Sequence, residues 1–207
     1  MKIQKKFLLQ STKENNTAER EAIMEKITNI NDVIEEVLVT EEQIKERVKE
    51  LGEEISRDYE GKEVCVLTVL TGSFMFAADI VRALTVPARV MCVFATSYEG
   101  TESVGKVDII KGKGFNVKDK DILIVEDIVD TGRTLDAVTK VLFDDGAKSV
   151  EICTLLDKPE RRVVELHPKY IGFDIPNKFA VGYGLDYDHR FRQFPFVGVL
   201  KKEVYEK

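Results

Sequence analysis

Short apolar runs and helical patterns alternate through the middle of the chain. Runs that are mainly apolar, each short enough for one strand, occupy residues 64–70, 88–96, 122–125 and 149–156. Such runs are typical of strands that are covered on both faces. Between them, apolar residues recur three or four positions apart, as in amphipathic helices: Phe74, Ala77, Ala78, Val81 and Leu84 in one segment, and Leu135, Val138, Val141 and Leu142 in another. The alternation predicts an α/β fold with a central parallel sheet flanked by helices.

The segments outside this alternation are less regular. A strand pattern that starts at residue 34 ends at Thr40, and Thr40-Glu41-Glu42-Gln43 is a capping box that opens a helix. After Pro159, short strand candidates stand at residues 171–173, 179–181 and 197–200. We therefore predict one domain over residues 32–207. Within it, residues 32–40 and 158–207 are expected to form a small hood over one edge of the sheet.

The first 31 residues have a different character. They are mostly polar, with one helical stripe at Ile23, Ile27 and Ile30. We predict an N-terminal extension that is either a docking helix or a flexible terminus. Its role cannot be read from the pattern.

Composition and charge restrict the class of protein. The chain has 207 residues, of which 43% are hydrophobic, so it is long and apolar enough to bury one substantial core. The formal net charge of -6 gives no broad basic surface for nucleic-acid phosphates. No apolar run approaches the roughly 20 residues of a membrane span. We therefore expect a cytoplasmic protein that binds neither nucleic acid nor membrane.

The cysteines and histidines favour no familiar metal or nucleophile site. Cys65, Cys92 and Cys153 each lie in an apolar stretch without CxxC spacing, and His167 and His189 form no HExxH motif. A zinc site or a disulfide framework therefore has little support. Any metal is expected to bind oxygen ligands.

The segment ILIVEDIVDTGRTL, residues 122–135, carries the most specific chemical signal. Glu126 and Asp127 follow an apolar strand, at the sheet edge where open α/β folds bind ligands. Residues 130–134, Asp-Thr-Gly-Arg-Thr, then lead into a helix whose free N–H groups, hydroxyls and guanidinium suit an anion. An ordinary strand-turn-helix corner capped by Thr131 or Asp130 would explain the threonine and glycine, but not three acids beside an anion cradle. A ligand with both a phosphate and hydroxyls would need both features.

Two common nucleotide-binding motifs are absent from the chain. It contains no GxxxxGK[ST] sequence, and its paired glycines at 112 and 114 and at 182 and 184 lack the third glycine of GxGxxG. The acids after the strand are therefore not interpreted as part of a Walker-type site.

The segment 122–135 closely resembles the phosphoribosyl pyrophosphate motif of type I phosphoribosyltransferases. VLTGSFMFAADI, TSYEG, LLDKPERR and FAVGYGLDYDHRFR resemble, in this order, segments of hypoxanthine-guanine phosphoribosyltransferases, from about Val33 to the C-terminus. The resemblance implies the type I phosphoribosyltransferase fold and transfer of ribose 5-phosphate from phosphoribosyl pyrophosphate to N9 of a 6-oxopurine. It also implies release of pyrophosphate, use of Mg²⁺, and a homodimer or homotetramer.

The resemblance assigns residues to phosphoribosyl pyrophosphate. Thr131, Gly132, Arg133 and Thr134 would hold the 5-phosphate, and Glu126 and Asp127 the ribose hydroxyls. Leu70, Thr71, Gly72 and Ser73 would form the pyrophosphate loop, with a cis peptide at Leu70–Thr71. Ser97 and Tyr98 would begin a loop that closes over the site, and Arg192 would bind the departing phosphates. Asp186 would hold Mg²⁺, together with Glu126 and Asp127. Thr71 and Arg133 both stand where lysine is usual in the family, and the effect of Thr71 is left open.

The resemblance also assigns the purine site. Asp130 would be the general base that faces N7, although a helix N-cap is its simpler structural role. Lys158 would donate to O6, Phe179 would stack on the purine with Ile128 beneath, and Ala180 and Asp186 would offer backbone carbonyls. A lysine donor at O6 predicts oxopurines over aminopurines. Ala180 is smaller than the usual residue, which leaves the preference among hypoxanthine, guanine and xanthine open.

Two other functions are compatible with the fold. A regulator could sense phosphoribosyl pyrophosphate and bind nucleic acid, although the acidic charge and the base pocket favour an enzyme. A pyrimidine-directed enzyme would differ in the bases that it accepts.

Overall fold

The structure is a computed structural model that describes residue 29 and residues 32–97, 107–112 and 115–205. The helical stripe at Ile23, Ile27 and Ile30 and the loop residue Tyr98 lie outside these residues.

A six-stranded sheet forms the centre of the molecule. Its strands are β2 (Val64–Leu70), β3 (Ala88–Ser97), β4 (Val107–Lys111), β5 (Asp121–Val129), β6 (Ser149–Asp157) and β7 (Tyr170–Asp174). They lie in the order β4-β3-β2-β5-β6-β7. All neighbours are parallel except β4, which pairs antiparallel with β3 at the edge. The predicted parallel sheet is thus confirmed, with one antiparallel edge strand added.

Helices cover both faces of this sheet, as the alternating pattern predicts. Helices α1 (Glu41–Asp58) and α2 (Phe74–Ala83) pack on one face, where their apolar residues meet Val64, Val66 and Leu123. Helix α3 (Arg133–Asp144) packs on the other face against the alternate strand positions. The predicted capping box is present: the Gln43 N–H donates to Thr40 Oγ1 over 3.3 Å, and the Thr40 N–H donates to Gln43 Oε1 over 2.8 Å.

A smaller sheet forms the hood. Strand β1 (Ile34–Val39) pairs with β9 (Val197–Leu200), which pairs in turn with β8 (Ala180–Val181), all antiparallel. Helix α4 (Lys202–Tyr205) follows β9. The hood predicted over residues 158–207 is too wide, because β7 extends the large sheet in parallel with β6. Burial explains this placement, since Tyr170 at the start of β7 is almost fully enclosed in the main core.

None of the helices in the described residues combines the length and the apolar character needed to cross a membrane.

The strand order brings two loops together at one edge of the sheet. Strands β2 and β5 are parallel neighbours, with Thr68 paired to Val125 near their carboxyl ends. The loop after β2 and the acids near the end of β5 therefore face each other. This is the position at which open α/β sheets bind ligands.

Candidate active site

A cleft of about 210 Å³ opens at the carboxyl ends of β2 and β5. Nine residues assigned to the site from the sequence line it: Leu70, Thr71, Gly72, Glu126, Ile128, Asp130, Thr131, Gly132 and Thr134. The fold thus joins the loop after β2, the acidic end of β5 and the turn before α3. Asp127, Arg133, Lys158 and the hood residues are not among the lining residues and are described below.

The loop after β2 fits closely against the acidic end of β5. The Leu70–Thr71 peptide is cis. A Cβ atom on Gly72 would lie 1.7 Å from Asp127 Oδ2, so a larger residue there would displace the Asp127 carboxylate. Ser73 is fully buried and its hydroxyl donates to the Val69 carbonyl over 2.5 Å. Any contact of Ser73 with a ligand would therefore use its backbone.

The turn before α3 presents the start of a helix to the cleft. Gly132 is the N-cap of α3 with φ +80°, and no side chain caps this helix. Side-chain capping by Asp130 or Thr131, the simpler role considered for them, is therefore not seen. The first N–H groups of a helix lack intrahelical partners and favour anions. Thr131 and Thr134 line the cleft, whereas Arg133 is exposed at the first position of α3.

Glu126 and Asp127 form a pair of adjacent acids, of which Glu126 is buried and Asp127 is partly buried. The Asp127 N–H donates to Glu126 Oε1 over 3.3 Å, and the Ile128 N–H donates to Asp127 Oδ1 over 2.7 Å. Burial, followed by the charge of Asp127, raises the pKa of Glu126 well above its usual value. Burial also raises the pKa of Asp127, against hydrogen bonds and the Arg192 charge, which lower it. The pair therefore retains a proton more readily than exposed carboxyls do.

Arg192 connects the hood with this pair. Its Nη2 lies 2.8 Å from Asp186 Oδ1, its Nη1 donates to the Gly184 carbonyl over 2.5 Å, and its charge acts on Asp127. The second oxygen of Asp186 accepts the His189 N–H over 2.8 Å. A Cβ on Gly184 would lie 2.0 Å from the Gly72 carbonyl oxygen. The hood thus contacts the loop after β2 directly.

The residues assigned to the purine lie on the other side of the cleft. Lys158 is only 7% exposed, and its Nζ donates to the Lys178 carbonyl over 2.7 Å. Burial lowers the pKa of Lys158, and the Asp130 charge opposes this change. The Lys158 N–H donates to the Val129 carbonyl over 2.9 Å, which places it beside the end of β5. An ordinary surface lysine would not be buried in this way.

The aromatic platform and the acceptors assigned to the purine lie in the hood. Phe179 is 38% exposed, and Ala180 is buried in β8 against the main core. Ile128 packs at the margin of the same core and lines the cleft. Ser97 ends β3, and nothing is described of its side chain.

Arg161 contacts Asp130 and was not assigned from the sequence. Its Nε donates to Asp130 Oδ1 over 2.5 Å, and its Nη1 donates to Asn177 Oδ1 over 3.2 Å. Both side chains are more than a third exposed, so the ion pair contributes little stability. The ion pair instead fixes the position of the Asp130 carboxylate, between the turn before α3 and the residues assigned to the purine.

Arg162 is the second arginine that was not assigned. Its side chain is only 11% exposed and pairs with the buried Asp157. The Nε donates to the Asp130 carbonyl over 3.2 Å and the Nη1 to the Leu166 carbonyl over 2.8 Å. Arg162 therefore fixes the turn before α3 through its contact with the Asp130 carbonyl. Both arginines stand in LLDKPERR, but a charged run by itself is typical of a solvated surface.

We predict that Glu126→Gln stabilises the metal-free protein at pH 8. A carboxyl whose folded pKa is raised contributes stability below its unfolded pKa and loses it as pH rises through the folded pKa. The amide has no charge to desolvate and keeps an oxygen for the Asp127 N–H. Unfolding curves at pH 8 should show a gain on the order of 1 kcal/mol, or about 2–4 °C in midpoint.

The same comparison at pH 4, where Glu126 is mostly protonated in both states, should show a much smaller difference. Glu46, exposed on α1, provides the matched control, because Glu46→Gln removes a surface charge. An equal gain from Glu126→Gln at both pH values would contradict the desolvation argument.

Comparisons with known proteins give a consistent family. The model of the phosphoribosyl transferase domain family matches residues 36–188. A hypoxanthine-guanine phosphoribosyltransferase of Lactococcus lactis is 50% identical over 180 residues, which cover 86% of this chain and 98% of the relative. One from Staphylococcus aureus is 45% identical over 173 residues, covering 83% and 97%.

Solved structures agree with the sequence relatives. A hypoxanthine phosphoribosyltransferase from Staphylococcus aureus superposes with a TM-score of 0.83 at 42% identity, over 88% of this chain and 100% of the other. A hypoxanthine-guanine phosphoribosyltransferase from Bacillus anthracis gives a TM-score of 0.77 at 44% identity, over 81% and 99%. The cleft, the acid pair and the helix N-terminus agree with these matches. The matches show that the chain belongs to the phosphoribosyltransferase family, among the hypoxanthine-guanine phosphoribosyltransferases.

Proposed function

We propose that the chain transfers ribose 5-phosphate from phosphoribosyl pyrophosphate to N9 of hypoxanthine or guanine, giving IMP or GMP and pyrophosphate. The observation that carries this proposal is one cleft with a helix N-terminus for an anion, an acid pair for hydroxyls and, beside it, a buried lysine for an oxopurine. The names of the relatives support the same activity.

The main domain is proposed to bind the sugar phosphate. The 5-phosphate lies at the start of α3, where Thr131 and Thr134 add hydroxyl donors and Arg133 adds positive charge. The ribose hydroxyls donate to Glu126 and Asp127. Burial raises the pKa values of this pair, and hydrogen bonds donated by the ribose hydroxyls would offset part of that desolvation.

The loop after β2 and the hood are proposed to bind pyrophosphate. The backbone of residues 70–73 faces this ligand, and Arg192, already near Asp127 and Asp186, adds positive charge. The loop that begins at Ser97 and Tyr98 closes over the reacting atoms and excludes water. Positioning and charge account for most of the rate enhancement, since C1 of the ribose passes through a positively charged state.

The cleft fits a Mg²⁺ ion that takes part of its ligands from the substrate. No group of three or more acidic, histidine or cysteine side chains among the described residues could hold a metal alone. Mg²⁺ usually binds through one or two carboxylates, phosphates and water, which suits Asp186 together with Glu126 and Asp127. When bound, the ion would supply positive charge to the pyrophosphate oxygens.

Asp130 and Lys158 are proposed to act on the purine. The Asp130 carboxylate lines the cleft beside Lys158 and accepts the proton from N7, while Lys158 donates to O6. Phe179 and Ile128 hold the two faces of the ring, and the carbonyls of Ala180 and Asp186 accept donors at its far edge. A buried lysine that finds no acceptor is costly, so adenine should be rejected.

Nucleotide formation with a panel of bases tests the function. The purified protein, with Mg²⁺ and phosphoribosyl pyrophosphate, is expected to convert hypoxanthine or guanine, with kcat/KM for adenine lower by at least about 100-fold and no product from uracil. Turnover of adenine or uracil would contradict the oxopurine pocket. Binding of phosphoribosyl pyrophosphate without turnover of any base would indicate a sensor rather than an enzyme.

Two variants extend this panel. Lys158→Met should lower kcat/KM for hypoxanthine about 10- to 100-fold while the Kd for phosphoribosyl pyrophosphate stays nearly unchanged. Lys140→Met, at a largely exposed lysine on α3, is the matched control. Unchanged base kinetics in Lys158→Met would remove this lysine from the pocket.

We predict that Asp130→Asn lowers kcat about 10²- to 10⁴-fold, because a neutral amide cannot accept the purine proton. The amide oxygen can still accept the Arg161 hydrogen bond, so the Kd values of both substrates should change little. Steady-state kinetics and calorimetry measure the two effects, with Asp144→Asn at the far end of α3 as the control. Equal losses in turnover and affinity would exclude the general-base role.

We also propose that two copies of the chain associate through the outer face of β3. Val90 and Phe94 on this strand and Ile110 on β4 are 51%, 49% and 62% exposed, and Phe94 pairs directly with Ile110. The alternate residues of β3 pack under α3. An exposed apolar strip of this kind is typical of an interface, and a homodimer or homotetramer would cover it.

Charge introduced into this strip should dissociate the assembly. Phe94→Lys combined with Val90→Lys is expected to reduce the mass measured by light scattering to that of a smaller assembly or a monomer. Phe143→Lys, at an equally exposed phenylalanine on α3, should leave the mass unchanged. An unchanged mass in the double variant would place the interface elsewhere.

The cytoplasm is the compartment that we propose for this activity. Cys65, Cys92 and Cys153 all carry free thiols, as expected where thiols are kept reduced.

A further inference from the structure

Phe179, the proposed platform for the purine, has one face covered within the chain. The ring of Tyr205 stacks on it with centroids 4.8 Å apart and an angle of 22° between the planes. The ring of Tyr187 meets its edge at 5.8 Å and 84°. Phe179 still exposes 38% of its surface. Two aromatic side chains therefore fix the plane of a third that remains open to a ligand.

The C-terminal segment that carries Tyr205 is firmly attached to the hood. Val204 is 7% exposed and packs in a cluster with Val33 and Leu200. The Lys201 N–H donates to the Val33 carbonyl over 2.9 Å. The Leu200 N–H donates to the Phe179 carbonyl over 2.9 Å. The backbone of Phe179 and the start of α4 are therefore held in one unit.

Tyr205 and Phe179 pack on the same face of the small sheet. Ala180 packs in the core that also contacts Ile128, whereas its neighbour Val181 packs in the cluster that contacts Tyr205. Successive residues of a strand point to opposite faces. Phe179, two positions before Val181, therefore points to the side of β8 on which Tyr205 packs. Its exposed surface leaves the ring face opposite Tyr205 for a ligand.

We propose that Tyr205 is a positioning residue for base binding, which acts by holding the Phe179 ring parallel to the incoming purine. This inference rests on the proposed function. A stacked aromatic pair prefers a fixed offset and plane, and a side chain ordered before binding costs less to order in the complex. Tyr205 contributes to affinity for the base without touching it, and has no role in binding phosphoribosyl pyrophosphate.

Kinetics of Tyr205→Leu and Tyr205→Phe test the proposal. The leucine variant should raise KM for hypoxanthine about two- to tenfold, with kcat and KM for phosphoribosyl pyrophosphate nearly unchanged. The phenylalanine variant keeps the aromatic ring and should have the wild-type KM for hypoxanthine. An unchanged base KM in Tyr205→Leu, or equal rises in both KM values, would overturn the proposal.

A double variant separates positioning from a general effect on folding. In a Phe179→Leu background, Tyr205→Leu should cause no further rise in the base KM, because the ring that it positions is gone. A full additional rise in that background would contradict the proposal. Wild-type protein that turns over no base would instead refute the proposed function.

Discussion

The cleft depends on one constraint, the placement of two adjacent carboxyls, with Glu126 buried and Asp127 partly buried. Burying a charged group is costly unless it is paired and hydrogen-bonded, and here the raised pKa values of both acids express that cost. The surroundings meet it only in part, through two backbone N–H groups and the nearby charge of Arg192. Gly72, pressed against Asp127, leaves no space for another side chain. The remaining hydrogen-bonding capacity of the pair is available to the hydroxyls of a ligand.

Three arginines fix the relative positions of residues around the site through hydrogen bonds and ion pairs. Arg162 joins the carbonyl of Asp130 to the buried Asp157 at the end of β6. Arg161 joins the Asp130 side chain to Asn177. Arg192 joins Asp186 to the Gly184 carbonyl within the hood, and Gly184 packs against Gly72 of the loop after β2. A guanidinium suits this role because its donors lie in one rigid plane and can serve several acceptors at once. The turn before α3 is thus connected by hydrogen bonds to the end of β6 and to Asn177, whereas the hood meets the loop after β2 by close packing.

The sequence predicts those features whose cause is local. Apolar runs gave the strands of the large sheet, the capping box gave the start of α1, and DTGRT gave the helix N-terminus at the cleft. The placement of β7 was missed because the sequence of a short strand does not indicate which sheet the strand joins. The contacts of Arg161, Arg162 and Tyr205 were missed for a related reason. Each contact depends on tertiary packing, and no spacing in the chain distinguishes these residues from ordinary surface residues.

Recognition in the cleft is divided between two structural units. The groups proposed for the sugar phosphate come from the large sheet and α3, which are held by regular backbone hydrogen bonds and two apolar cores. Phe179, Ala180 and Asp186, proposed for the base, come from the hood, a three-stranded sheet followed by the C-terminal segment. On this proposal, substitutions in the hood can change the base that is accepted without disturbing the turn before α3. Gly184, whose carbonyl accepts from Arg192, lies against Gly72, so the hood and the loop after β2 are in direct contact. On the proposed function, the separation of the two units favours specificity for the base. Their contact favours one relative position of the base and the sugar phosphate.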